Sequence, residues 1–276
     1  MCIRDRPDTT GNYDSLVSGP MLTTGNQGKF GEALWFDGDN DYVSAGTISE
    51  MVNADAWTTS IWFQRTVDHS GTATETNHLV NSVLIAQSSD TSNDNLEIGT
   101  EGDVVEVYLD TEELGGSTTT VREPTAMQNG TWHHLVVTYD RNQASELTIY
   151  VDGVQVNQYS QYGGALSATT SSISIGLARP GGSEWGDFEG LIDDVAIWDA
   201  ALDAQQVVAL FHGTSPPLLS GYSDRIGLDL QPSMLGQNTS AYSRFRFDVD
   251  NPDAIAALHM TLQYDDAFVA YINGTE

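Results

Sequence analysis

WHHLVVTYDRNQASELTIYVDGVQV, residues 132–156, decides the fold. Leu135–Tyr139 (LVVTY) and Leu147–Val151 (LTIYV) are short runs of β-branched and aromatic residues, the composition of strands rather than helices. Asp152-Gly153 separates LTIYV from VQV, and this pair supplies the two positive-φ positions of a two-residue hairpin turn. The same texture extends outward in both directions. Trp57–Gln64 (WTTSIWFQ) and Val104–Leu109 (VVEVYL) read as strands, and Gly, Asn, Asp and Ser clusters break the chain between such runs. Many short strands with turn signals and no helices between them predict an all-β protein built as a two-sheet antiparallel sandwich.

One short helix closes this region. Asp203 can cap it, Gln206 stands three residues on as the reciprocal partner of a capping box, and Val207, Leu210 and Phe211 follow with helical spacing. Gly213 suits the position just past the helix, and Pro216-Pro217 prevent continuation. Beyond the helix the strand texture restarts at Phe245–Val249, Met260–Tyr264 and Phe268–Ile272. The hairpin signal Asn273-Gly274 then arrives two residues before the last one. From a turn without its return strand we expect a partial second β domain in a polypeptide that is a piece of something larger. The expected division is a leader over 1–9, a sandwich over 10–213, a linker over 214–225 and an incomplete β-sandwich over 226–276. The leader is set apart because Met1–Arg6 holds the only cysteine and two of the ten basic residues, which makes it look foreign to the rest.

Composition narrows the function. The 276 residues carry 39 acidic and 10 basic side chains, a formal net charge of −29, and Lys29 is the only lysine. Nucleic acid and anionic lipid are therefore excluded as partners, because both require clustered Lys and Arg. A single cysteine, Cys2, excludes an internal disulfide framework and a multi-thiolate metal centre. No run of 18 apolar residues appears, so membrane insertion is not expected. The carboxylate excess suits a protein working in a saline medium.

Three segments in this order carry a family resemblance: GEALWFDGDNDYV (Gly31–Val43), residues 132–156, and FEGLIDDVAIWDAAL (Phe188–Leu202) with its following helix. Together they resemble the laminin-G-like jelly roll of the concanavalin A-like lectin/glucanase superfamily, over about three quarters of the chain. The resemblance implies two antiparallel sheets bent into a jelly roll, one concave and one convex. The tail from Ile226 onward resembles the start of a galactose-binding-like β-sandwich, a unit that recurs in large secreted proteins combining several binding modules.

Candidate chemistry follows from these segments. Asp37, Asp39, Asn40 and Asp41 gather oxygen ligands of the kind that hard cations such as Ca²⁺ prefer, although Asp also suits turns for its own sake. Superfamily members hold a structural calcium with a side chain matching Asp193, so the expected metal ligands are Asp37, Asp41 and Asp193. Superfamily glucanases also place three acids on alternate residues of one strand face. Here Glu184, Asp187 and Glu189 are spaced E-x-x-D-x-E, which turns Glu184 away from the other two and argues against catalysis. His133 and His134 are strand neighbours facing opposite ways and read as sheet residues. No nucleophile elbow or phosphate-binding glycine loop is present. Trp185, Tyr159 and Tyr162 lie in loops rich in polar residues and are the candidate sugar-stacking residues, whereas Trp35, Trp57 and Trp62 lie in strand patterns and are assigned to packing. Asn129, Asn238 and Asn273 head N-x-S/T sequons. The expected role is a non-catalytic extracellular module that binds a glycan or glycosylated surface. A glycoside hydrolase domain or its accessory is one alternative, and a passive spacer is another.

Overall fold

The computed structural model describes residues 2–3, 16–19, 21–22, 27–48, 51, 53–67, 80–88, 94–113, 119–160, 162–180 and 186–213. The chain divides into two units, Met1–Ser220 and Gly221–Glu276. The second unit, with the tail strands and sequons expected there, lies outside the described residues.

The first half of the described chain forms β1 (Cys2–Ile3), β2 (Leu16–Ser18), β3 (Met21–Leu22), β4 (Leu34–Asp37), β5 (Tyr42–Gly46), β6 (Ala56–Arg65), β7 (Ser82–Ser88) and β8 (Asp94–Glu101). The second half forms β9 (Val104–Leu109), β10 (Thr119–Pro124), β11 (His133–Asp140), β12 (Leu147–Val151), β13 (Val154–Tyr159), β14 (Ile173–Ile175), β15 (Glu189–Trp198) and α1 (Ala204–Phe211). They build two antiparallel sheets. One has eight strands in the order β13-β12-β11-β6-β15-β4-β3, with β1 also pairing β15; the other has seven, β10-β9-β8-β7-β14-β5-β2. Cys2–Ile3, expected in a foreign leader, pairs Val195–Ala196 as β1.

The sandwich core lies between the sheets because side chains alternate across each strand. Trp57, Ile61 and Phe63 of β6 and Leu135, Val137 and Tyr139 of β11 face Leu96, Ile98, Val105, Val107 and Leu109 from the other sheet. Trp57 stands opposite Tyr139 in register, and their rings stack with centroids 5.8 Å apart. His134, Val136 and Thr138 of β11 are buried too, because α1 covers the far side of the eight-stranded sheet. Val136, Tyr150, Leu202 and Val207 form a second apolar cluster there.

Local chemistry fixes the two features that position α1. Asp203 accepts from the Gln205 and Gln206 amides while Gln206 accepts from the Asp203 amide, the expected capping box. Gly213 adopts φ +73 just past the helix. At the β12–β13 turn Asp152 and Gly153 adopt φ +52 and +78, as the Asp-Gly pair predicts. Glycine is needed at 153 for space as well, since a Cβ there would sit 3.0 Å from Phe211 of α1.

Candidate ligand-binding face

The two outer faces of the sandwich differ in character. On the eight-stranded sheet Trp62 stacks with His134 at 4.7 Å and with Phe211 at 5.4 Å, Phe30 meets Trp62 edge-on, and Lys29 Nζ sits 4.1 Å over the Trp62 ring. That face is sealed by apolar and aromatic packing. The outer face of the seven-stranded sheet carries charge beside a small apolar cluster of Val80, Val83, Ala86, Tyr108 and Ala178.

The register explains how. Glu97 stands opposite Tyr108 and Gly99 opposite Glu106 between β8 and β9; Tyr108 then faces Thr120 and Glu106 faces Arg122 between β9 and β10. Since Leu96, Ile98, Val105 and Val107 point into the core, Glu97, Glu106 and Tyr108 point outward. Arg122 forms ion pairs with both Glu106 and Glu101. The segment leading into β7 crosses above Gly99, where a Cβ would lie 2.0 Å from the Ser82 carbonyl oxygen. Glycine at 99 thus lets Asn81 reach Glu106, which accepts from its backbone amide at 2.9 Å and its side-chain amide at 3.2 Å. Further along the face Arg179, itself at φ +55, lies 2.9 Å from Asp94 and 3.8 Å from Glu97.

These groups are graded in access. Glu106 and Glu97 are fully buried, whereas the Arg122 and Glu101 side chains keep 25% and 18% of their exposure. Burial pushes the Glu106 carboxyl up, against the opposing pull of the Asn81 amide and the Arg122 guanidinium. Burial and the neighbouring carboxylates of Asp94, Asp110 and Glu97 push the Tyr108 phenol far up. Buried charge of this kind is costly unless paired, and here each guanidinium bridges two carboxylates. Arg122 and Glu101 are the end of the network that a ligand can touch.

The residues singled out in the sequence are not brought together into one site. Asp37 pairs Glu189 of β15, so Asp193 lies four residues further along, about 13 Å at strand spacing. Asp37 and Asp193 therefore cannot ligate one ion. Each also serves the backbone: Asp37 accepts from the Asp39 amide, Asp41 from the Asp37 amide, and Asp193 from the Phe30 and Asp194 amides. Burial raises the Asp193 carboxyl to about 6. Among the described residues no three Asp, Glu, His or Cys side chains converge as metal ligands. The donor set named from the sequence does not fit a single calcium.

Tyr162 corrects another expectation. It is 3% exposed and belongs to the sandwich core, so its ring cannot serve as a sugar platform. Tyr159 is half-buried on β13, and its hydroxyl donates to Glu123 of β10 at 2.5 Å, tying the edges of the two sheets together. Burial, helped by that carboxylate, raises the Tyr159 phenol to about 12. Trp185 and Glu184 lie outside the described residues. Asp187 accepts from the Asn40 amide and Glu189 from the Thr66 hydroxyl. His133 and His134 do face opposite ways. His133 Nε2 accepts from the Gln128 amide, so its Nδ1 carries the proton donated to Asp152; His134 Nε2 meets Ser60 Oγ at 2.8 Å. Sequence reasoning missed Glu97, Glu101, Glu106, Arg122 and Arg179. The available signal was a single acid among apolar residues in VVEVYL and a single base in TTVREP, whose pairing shows only once the strands are placed side by side.

Residues 37–208 match the Laminin_G_3 family model of the concanavalin A-like lectin/glucanases superfamily. The chain belongs to that superfamily. The span runs from the end of β4 into α1, so it contains the whole charged network of this concanavalin A-like domain. No curated protein matches the chain. Among solved structures the domain is similar to domain 4 of AbnA, a GH43 extracellular arabinanase from Geobacillus stearothermophilus, in complex with arabinotriose. That likeness has 19% identity and a TM-score of 0.54, covering 73% of this chain and 90% of the other. It is also similar to the binding domain of Paraclostridial Mosquitocidal Protein 1 (15% identity, TM-score 0.55, 75% of this chain and 49% of that one). A third is the binding domain of Botulinum neurotoxin DC in complex with SialylT (15%, TM-score 0.54, 77% and 50%). The concanavalin A-like domain thus spans about half the length of the toxin binding domains it matches. At these identities the likeness is one of fold.

Proposed function

We propose that this concanavalin A-like domain is a non-catalytic module that binds carbohydrate outside the cell, and that its binding face is the outer surface of β8, β9 and β10. One observation carries the reading: α1 and Trp62 seal one side of the sandwich, while the other keeps a paired charge network whose Arg122–Glu101 end reaches solvent. Sugar hydroxyls both donate and accept, and a guanidinium beside a carboxylate offers both complements. The arabinotriose complex of the AbnA domain supports a glycan as ligand, and the extracellular source of that domain supports the location. No helix among the described residues is long and apolar enough to cross a membrane.

Hydrolysis needs a carboxylic acid able to deliver a proton and a second carboxylate about 5–5.5 Å away in the retaining case. Glu101, Glu106, Asp94 and Glu97 each share a guanidinium, and Glu106 and Glu97 are buried out of a ligand's reach, an arrangement that suits recognition better than proton delivery. A glycan array with the full chain, run beside a reducing-sugar assay on the glycans retained, tests both halves of the reading. Retention without sugar release is expected. Release would replace the binding role by a glycosidase, and retention of nothing would leave a spacer.

A further inference from the structure

Resting on the proposed glycan-binding role, we infer that this face selects uncharged glycans and rejects sialylated, uronic and sulfated ones. Recognition of an acidic sugar calls for a cation that is not already spent on the protein's own anions. Both guanidinium groups of the face are spent. Arg122 bridges Glu101 and Glu106, and Arg179 lies 2.9 Å from Asp94 and 3.8 Å from Glu97. Two guanidinium groups against four carboxylates leave the face with two net negative charges.

The rest of the described surface offers no substitute. Lys29, the only lysine, lies over Trp62 on the opposite sheet. Arg65 is buried and donates to the Gly102 and Met127 carbonyl oxygens and to Asp103, while Arg141 pairs with Asp55. The whole chain carries −29, so its long-range field also repels an anionic ligand. A carboxylate or sulfate brought within hydrogen-bonding reach of Arg122 meets Glu101 at the same time. Repulsion by two unit charges at such range, in a solvent-exposed setting, weakens binding by about tenfold or more at low salt. A neutral sugar avoids that penalty: its hydroxyls donate to Glu101 and accept from the Arg122 N–H groups.

The test is calorimetric titration of the full chain with matched pairs of oligosaccharides that differ only in charge. Lactose against sialyllactose and a neutral gluco-oligosaccharide against its sulfated form belong to the panel, at about 20 mM and about 500 mM NaCl. The expected result is that the neutral member of a bound pair binds with less than about a twofold change between the two salts. Its acidic partner is about tenfold weaker or worse at low salt, with the gap closing at high salt. An acidic member that binds as well as its neutral partner, or better, overturns the inference while leaving glycan binding intact. Failure of every pair in both salts instead overturns the glycan-binding role on which the inference rests.

Discussion

Arg122 of β10 and Glu106 of β9 stand directly opposite one another across the sheet and are joined as an ion pair, with the Glu106 carboxyl wholly removed from water. A strand pair commonly places such charges on a wet face, where they contribute little. Here the chain crossing above Gly99 covers the carboxylate, so the guanidinium is what makes its burial tolerable.

Removing that guanidinium should be costly, and more so at higher pH. Arg122→Met is expected to lower stability by about 3 kcal/mol near pH 8, since it strands a buried carboxylate beside Glu101. Burial already raises the Glu106 carboxyl, so its contribution to stability is present below the unfolded value and lost as pH rises through the folded one. Losing Arg122 raises it further, so urea denaturation at pH 5 should show a smaller loss than at pH 8. Glu106→Gln in the same background should recover part of it. Equal losses at both pH values would contradict this.

His134 and Asp193 pull stability in opposite directions on acidification. Burial beneath Trp62 and Phe211 lowers His134 to about 4. Its contribution is therefore full above about 6.5 and falls as the unfolded chain takes up a proton, by ~3 kcal/mol across the window. Burial raises Asp193 to about 6, so its contribution grows as pH falls from 6 toward the ordinary carboxylate range. Melting curves of His134→Gln should therefore converge on, or cross, those of the parent as pH drops from 7 to 4.5. Those of Asp193→Asn should diverge below them. Curves that stay parallel to the parent in both variants would refute the assignment.

The β12–β13 turn clamps the neighbouring strand. Burial alone would raise the Asp152 carboxyl, but hydrogen bonds from the His133 ring and the His134 amide outweigh it and hold the group below the usual range. Asp152→Ala should cost about 2 kcal/mol in urea denaturation, by loss of those bonds and of a residue that tolerates φ +52. Asp152→Asn should cost less. Gly153→Ala should cost ~1–2 kcal/mol, because it strains the turn and presses on Phe211. A neutral Gly153→Ala would show that α1 does not dock against this turn.

Much of this fold is legible in the sequence because its signals are local. VVEVYL and LTIYV are strands over the expected residues, Asp152-Gly153 makes the expected turn, and Asp203 with Gln206 caps the one helix. The candidate face was not legible, because it depends on register: Glu106 and Arg122 are sixteen residues apart and meet only through strand pairing. Tyr162 misled for a related reason. Its polar, Gly-rich neighbours read as a surface loop, yet the ring turns inward to fill the sandwich. Asp37 and Asp193 do sit on adjacent strands, but register, which no composition reveals, sets them four residues apart.

The most direct measurement is amide chemical-shift mapping of the full chain while titrating a neutral oligosaccharide retained on the array. The expected shifts cluster at Glu101, Glu106, Arg122 and Asn81, with the amides of α1 unchanged. Shifts confined to α1 and the β12–β13 turn, with β8–β10 silent, would place the ligand on the sealed side and contradict the proposed face.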